Sequence, residues 1–248
     1  MLELLAALAA GAAAGVSNSI AGAGSLITFP TLVALGLSPL SANVTSTVGL
    51  IPGAVGGSVG YADLLREQRA RIFRLAVPML VGSIAGTTLL LITSNDTFEA
   101  IVPFLVAGSC LLLLFQPRLT PRIAHAGNER SPFLNVGLVL AGAYAAYFGS
   151  AVGILLLGLL ALFVADSMQH LNAIKILLAG IANLLAAIAY ALLAAVDWRY
   201  ALCLMVGSLV GGRFGATVAR RISGDVLRVA IALVGLVVAA ILAWRAFG

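Results

Sequence analysis

The chain has 248 residues, 62% of them apolar and 9% charged, with a formal net charge of +5. That balance excludes disorder and is too greasy for a soluble globule. About six to eight bilayer spans of about 20 residues each would use the apolar content and leave no room for a soluble catalytic domain.

Taken in chain order, apolar runs bounded by turn residues predict ten helical pieces. The first half gives 2–16, 25–36, 41–60, 71–92 and 98–115, and the second gives 133–146, 153–165, 169–195, 198–221 and 224–246. The opening Met1-Leu2-Glu3-Leu4-Leu5 lacks the positive region of a secretory signal, so it is read as the start of the first helix. The first two pieces of each half are short, roughly 18 to 22 Å at 1.5 Å per residue, and are expected to be half-spans. Between them lie Ser17-Asn18-Ser19-Ile20-Ala21-Gly22-Ala23-Gly24-Ser25 and Tyr147-Phe148-Gly149-Ser150-Ala151-Val152-Gly153, where glycines and small polar residues interrupt the apolar run.

The order short, short, long, long, long occurs twice. Val81-Gly82-Ser83-Ile84-Ala85-Gly86 recurs as Val206-Gly207-Ser208-Leu209-Val210-Gly211, and an offset of 129 superposes Gly24 on Gly153, Ser38 on Ser167 and Asn43 on Asn172. The expectation is one transmembrane domain over 1–248, with repeat 1 at about 1–115, a loop at 116–132 and repeat 2 at about 133–248. Weak internal symmetry with broken helices in equivalent places is the sequence sign of a transporter.

Charge placement sets the topology. If each short pair is a re-entrant hairpin, each repeat crosses three times, and Arg66, Arg69, Arg71, Arg74, Arg118, Arg122, Arg130, Arg220, Arg221 and Arg228 share one face. Glu3, Asp96, Glu99, Asp166 and Asp197 are assigned to the other, with only Arg199 and Arg245 as basic residues. The positive-inside rule then predicts six crossings plus two hairpins, inverted repeats and both termini outside. The fold class expected is an all-α integral membrane protein, in a prokaryotic cytoplasmic membrane.

Non-helical backbone at membrane depth survives only where protein or a water-filled cavity satisfies it, so two facing breaks would build a cavity. Half-helices starting near Ser25 and Gly153 would present the positive ends of their dipoles, a site for an anion. Ser17, Asn18, Ser19, Gly22, Gly24 and Ser25, with Tyr147, Gly149, Ser150 and Gly153, are therefore candidate binding residues. Gly82, Gly86, Gly207 and Gly211 read instead as small residues for close helix packing. Lys175 is the single lysine and lies inside an apolar run, where a charge costs roughly 2.5 to 3.5 kcal/mol on insertion scales. It either pairs with an anion or snorkels to the outer interface. Asn43 and Asn172 are candidate donors to an oxyanion or bonds between helices. Asn183, roughly 80° around the helix from Lys175 and about 12 Å along it, is not expected to share one small anion with it. Arg213 is expected to snorkel, His125 to be solvated, and His170, four residues after Asp166 near the outer face, to make a surface contact rather than a pH-sensitive pair. Cys110 and Cys203 read as packing residues. No residue set resembles a catalytic triad, a metal motif or a nucleotide loop, so no enzyme activity, metal, cofactor or ATP is expected. The scattered arginines fit topology rather than nucleic acid, and the partners expected are lipid, a small anion and a coupling ion such as H⁺ or Na⁺.

The stretch from Ala14 to Pro30, followed by Gly36-Leu37-Ser38-Pro39 and Ala42-Asn43-Val44-Thr45-Ser46, resembles the first-repeat signature of the sulfite exporter TauE/SafE family. Gly142-Ala143-Tyr144, Gly149 to Gly153, Asn172-Ala173-Ile174-Lys175 and Asn183 are similar to its second signature. The resemblance implies a small-anion transporter for sulfur oxyanions or organosulfonates, such as sulfite, thiosulfate, sulfoacetate or taurine-pathway products. With the broken, repeated segments the leading expectation is a secondary transporter working by alternating access, and the alternative is an anion channel or other small-solute permease. It adds Ser46 to the candidate set, at a position where many members carry a second lysine. Ala23 and Ala151 also depart from the pattern, standing where glycines are common.

Overall fold

The computed structural model describes residues 1–20, 22–119, 128–219 and 224–247. Its helices are α1 (Leu2–Ile20), α2 (Ser25–Ala34), α3 (Pro39–Val59), α4 (Ala62–Arg66), α5 (Arg69–Ile92), α6 (Asn95–Leu119), α7 (Pro132–Tyr147), α8 (Val152–Phe163), α9 (Met168–Leu193), α10 (Trp198–Ala219) and α11 (Gly224–Phe247). Among the described residues there is no strand. Arg122, His125, Arg220 and Arg221 fall outside the described residues.

Local chemistry explains the boundaries. Ser38 and Ser167 cap α3 and α9, each Oγ accepting the N–H three residues on at 3.3 Å. Ser131 caps α7 by accepting the Phe133 N–H, two residues on, at 3.3 Å, with Pro132 at the first helical position, where its missing N–H costs nothing. Leu2–Ser19, Arg69–Ile92, Asn95–Phe115 and Met168–Leu193 are long and apolar enough to cross a bilayer. On α5, Phe73, Val77, Val81 and Ile84 form an exposed stripe at helical spacing, a face that only lipid would cover.

Two of the expectations are corrected here. The first helix is not a half-span: it runs 19 residues, because Ser17, Asn18 and Ser19 continue the helix. Two of their side chains find partners, the Ser19 hydroxyl donating to the Gly15 and Gly212 carbonyls at 3.1 and 3.3 Å and Asn18 Oδ1 accepting the Gly24 N–H at 2.7 Å. The five-residue α4 was not expected at all; its run Ala62-Asp63-Leu64-Leu65-Arg66 is too short to show a period.

The halves pack by exchange. α1 lies on α10 and α5 lies on α7, each pair joining one half to the other. Glycines allow it: a Cβ on Gly207 or Gly211 would run into the Leu8 and Ala12 carbonyls, and one on Gly82 or Gly86 into those of Val139 and Ala143. These four glycines are packing residues, as expected. Cys110 and Cys203 are free thiols within the helical body. Repeat-related serines add bonds, Ser83 Oγ to the Ala182 carbonyl at 2.7 Å and Ser208 Oγ to that of Gly49 at 2.8 Å.

Side-chain contacts fix where each hairpin starts and ends. Glu129, just before α7, and Asp166, just after α8, both bind Arg71 at the start of α5, at 2.7 and 2.5 Å. The α7–α8 pair therefore returns to the end of the molecule from which it set out. Glu3 at the start of α1 accepts from the Tyr200 hydroxyl at 3.0 Å, and Ser41, just after α2, donates to the Ala195 carbonyl at 2.8 Å. The α1–α2 pair thus returns to the opposite end, which carries Glu3 and Asp197 and is called the acidic end. Asp166 and His170 lie at the arginine end, not with Asp197 and Glu3 as expected, because a hairpin that comes back delivers its exit loop to its entry side. Lys175, one to two turns into α9, is accordingly nearer the arginine end than the outer interface proposed for its snorkelling.

Candidate substrate site

Each hairpin turns on a glycine that ends its first helix. After α1, Gly22 takes φ 71° and its N–H reaches back to the Ser17 carbonyl at 3.1 Å; after α7, Gly149 takes φ 71° and reaches the Tyr144 carbonyl at 2.9 Å. Glycine adopts this left-handed turn without the Cβ penalty. Ala151 also lies there, at φ 58°, which costs an L-residue roughly 1 to 2 kcal/mol. The strain is held from outside: the Ser150 carbonyl accepts from the Tyr144 hydroxyl at 2.7 Å and from Ser109 Oγ at 3.2 Å. These side chains also satisfy non-helical backbone at membrane depth.

The tips meet. A Cβ on Gly22 would stand 2.7 Å from Gly153 Cα, and the hydroxyls of Ser25 and Ser150 are 3.0 Å apart. Beside them is a cavity of about 70 Å³, room for a handful of water-sized groups at about 10 to 15 Å³ each. The tips contribute Asn18, Ser19, Gly22 and Ser25 from one hairpin and Phe148, Gly149, Val152 and Gly153 from the other. Its walls are a face of α3, from Ser46 and Thr47 through Leu50, Ile51, Gly53 and Ala54 to Gly57, and a face of α9, comprising Lys175, Ile176, Ala179, Gly180 and Asn183.

Electrostatically the cavity is positive. Lys175 is only 2% exposed, and no ion pair holds it among the described residues. The first residues of α2 and α8 line the same space, so two helix N-termini, each equivalent to roughly half a positive charge, add to it. Asn18 is oriented for donation: its Oδ1 accepts the Gly24 N–H at 2.7 Å, leaving the NH₂ group as donor.

Other expected site residues do different work. Asn43 donates to the Tyr147 carbonyl at 2.9 Å, and Asn172 to the Tyr61 hydroxyl at 3.2 Å. Tyr147 turns its ring against Phe98, with centroids 5.9 Å apart. Ser150 and Gly24 support the tips, and Ser17 is buried with a hydroxyl that has no partner. Ser46 lines the cavity and shares a 2.5 Å hydrogen bond with Thr28. Thr47, Gly53, Gly57, Ala179 and Gly180 went unexpected, since small residues carry no chemical signature. The offset of 129 would have found several: it pairs Ser46 with Lys175, Leu50 with Ala179 and Ala54 with Asn183. Asn183 lines the same cavity as Lys175, about two turns further along α9.

The two ends of the cavity differ. Toward the acidic end it is roofed by Phe148, packed edge-on against Phe29 at 5.5 Å and tilted against Phe98 at 6.4 Å. Toward the arginine end it follows α3 to Gly57, almost the last turn of that helix. There Arg71 binds Gln68, Glu129 and Asp166, Arg74 binds Glu129 at 2.7 Å, and Asp166 meets His170 Nδ1 at 2.6 Å. Partial burial pushes the Asp166 carboxyl up, but bonds from His170, the Ser167 N–H and Arg71 outweigh it and hold it below the usual range. Arg213 is exposed on α10.

The model of the sulfite exporter TauE/SafE family matches residues 7–242. The chain belongs to this family. It is 26% identical over 239 residues to "Probable membrane transporter protein YfcA" of Escherichia coli K12, covering 95% of this chain and 87% of that protein. A "Probable membrane transporter protein" of Haemophilus influenzae is 26% identical over 223 residues, covering 87% and 85%. One of Xylella fastidiosa Temecula1 is 27% identical over 244 residues, covering 92% and 90%. The chain is thus an all-α integral membrane protein of a transporter family, and its bacterial relatives accord with the inner membrane.

Proposed function

We propose that this TauE/SafE family member is a secondary transporter that carries a small sulfur-containing anion, of the sulfite, thiosulfate or organosulfonate class, through the cavity between the hairpin tips. The observation that carries the reading is Lys175: a buried ammonium with no carboxylate partner among the described residues, facing a small cavity beside two helix N-termini. Such a cation pays a desolvation cost that a bound anion would return. The size of the cavity favours a compact oxyanion over a nucleotide or sugar phosphate. The sulfur class comes from the family description, since any small oxyanion shares the required charge and hydrogen-bond acceptors.

Alternating access supplies the mechanism. Hairpins that return to opposite ends support a pair of inverted repeats, and the cavity between their tips is the fixed point around which one rocks against the other. The aromatic roof and the Asn43 bond seal the acidic end in this structure, which favours a carrier over a continuous channel. By the positive-inside rule the arginine end faces the cytoplasm, so the cavity is drawn toward the inside.

Purified protein in liposomes, offered sulfite, thiosulfate, sulfate, sulfoacetate and taurine, tests this. Saturable uptake of at least one sulfur anion, accelerated by the same anion on the far side, is the expected result. Sustained single-channel current would replace the carrier by a channel, and no flux of any anion would remove the assignment.

A further inference from the structure

We propose that Asn43 and Asn172 are reciprocal latches for the two hairpin tips, the first fastened and the second released in this structure. The proposal rests on the alternating-access reading above and names the residues that would set which end is closed.

The two asparagines occupy equivalent places. Each stands five residues after a capping serine, Ser38 or Ser167, and three residues before a cavity-lining residue, Ser46 or Lys175. Their partners are not equivalent. Asn43 is 2% exposed, and its Nδ2 donates to the carbonyl of Tyr147, the last residue of α7 and two before the left-handed Gly149. That bond pins the second hairpin's tip against α3 under the aromatic roof. Asn172 is partly exposed and donates instead to the Tyr61 hydroxyl, between α3 and α4. The carbonyl matching that of Tyr147 belongs to Ile20, the last residue of α1 and two before the left-handed Gly22.

A pair of repeats that exchange conformations exchanges these bonds. In the opposite state Asn172 leaves Tyr61 for the Ile20 carbonyl, closing the arginine end, while Asn43 lets go of Tyr147 and the acidic end opens. The equivalence is drawn at the tips because the helices differ in length. Packing contacts match Leu8 with Val139 and Ala12 with Ala143, an offset of 131, whereas the turning glycines differ by 127, so α1 carries one more turn. Tyr61 is the competitor that keeps Asn172 off the tip.

The test uses full-length protein with Cys110 and Cys203 replaced by alanine and one reporter, Ala54→Cys, on the cavity wall. An impermeant thiol reagent is applied from each side in oriented vesicles, and the ratio of acidic-end to arginine-end labelling is read. Asn43→Ala should raise that ratio about fivefold, the equilibrium weight of one hydrogen bond. Tyr61→Phe, which frees Asn172 for the tip, should raise it by a similar factor, and adding Asn172→Ala to Tyr61→Phe should lower it again, because only then does the variant lose a bond in the opposite state alone. An unchanged or lowered ratio in Tyr61→Phe overturns the latch, and so does a Tyr61→Phe shift that persists when Asn172→Ala is added. Should Asn43→Ala fail to give a monodisperse protein, the partly exposed Asn172 and Tyr61 still decide. Wild-type reporter labelled from one side only, with or without sulfite or thiosulfate, would instead sink alternating access itself.

Discussion

The hairpin of α1 and α2 and the hairpin of α7 and α8 both turn at a glycine with φ 71°, yet the helices they meet carry different chemistry. Over equivalent positions α3 offers Ser46, Leu50 and Ala54 to the cavity, while α9 offers Lys175, Ala179 and Asn183. The tips differ in the same sense: Asn18 presents a donor to the cavity, whereas Ser150 spends its carbonyl and hydroxyl inside the protein. Two hairpins of similar geometry thus meet different chemistry, with charge on one wall and a positioned amide on the opposite tip.

The largest effects are expected where the two halves are alike. Gly86→Leu on α5 and Gly211→Leu on α10 would each drive a side chain into a carbonyl of the partner helix, Ala143 or Ala12. Both should abolish monodisperse protein after detergent extraction, while Gly108→Leu, with open space around it, should be tolerated. A well-folded Gly86→Leu or Gly211→Leu protein would show that the matching helix pair is not held by this contact.

Differences between the tips should appear next. Asn18→Ala is expected to weaken anion binding by about 1 to 3 kcal/mol, the loss of a buried donor to a charged group. Ser150→Ala should change affinity by less than about twofold, since its hydroxyl faces Ser25 rather than the cavity. Equal losses at the two positions, read by calorimetry with the best substrate, would erase the proposed asymmetry.

Much of this was legible in the sequence, for reasons that also mark the limits. Helix positions followed from apolar runs cut by glycine, serine and proline, and the matching starts of α3 and α9 from Ser38 and Ser167. The extra turn of α1 was hidden because Ser17, Asn18 and Ser19 look like a break; only the three-dimensional structure shows Gly15, Gly212 and Gly24 satisfying the last two. Asp166 was placed at the wrong end because the charge count did not follow the returning hairpin, which brings its exit loop back to Arg71. Lys175 stood out by being a charge in an apolar run, but the small residues that line the cavity beside it did not.

A smaller effect distinguishes the two ends. The Asp166 carboxyl is held below the usual value, so its contribution to stability is complete above about pH 4 and is lost as pH falls through the lower folded value. Wild-type Tm should therefore drop in that acidic window. Asp166→Asn should start with a Tm a few degrees lower at pH 7 and lose less on acidification. Identical pH profiles would mean that the Arg71 network does not fasten the α8–α9 loop to α5.

The central claim is that Lys175 holds the transported anion. Lys175→Met keeps most of the side-chain volume and removes a buried charge, so the protein should be as thermally stable as wild type or more so. Uptake into liposomes at equal protein should nevertheless fall by about 100-fold or more, as expected when a charge-assisted contact worth about 3 kcal/mol is lost. Wild-type uptake in the Met variant would contradict the account and leave Lys175 a bystander beside the cavity.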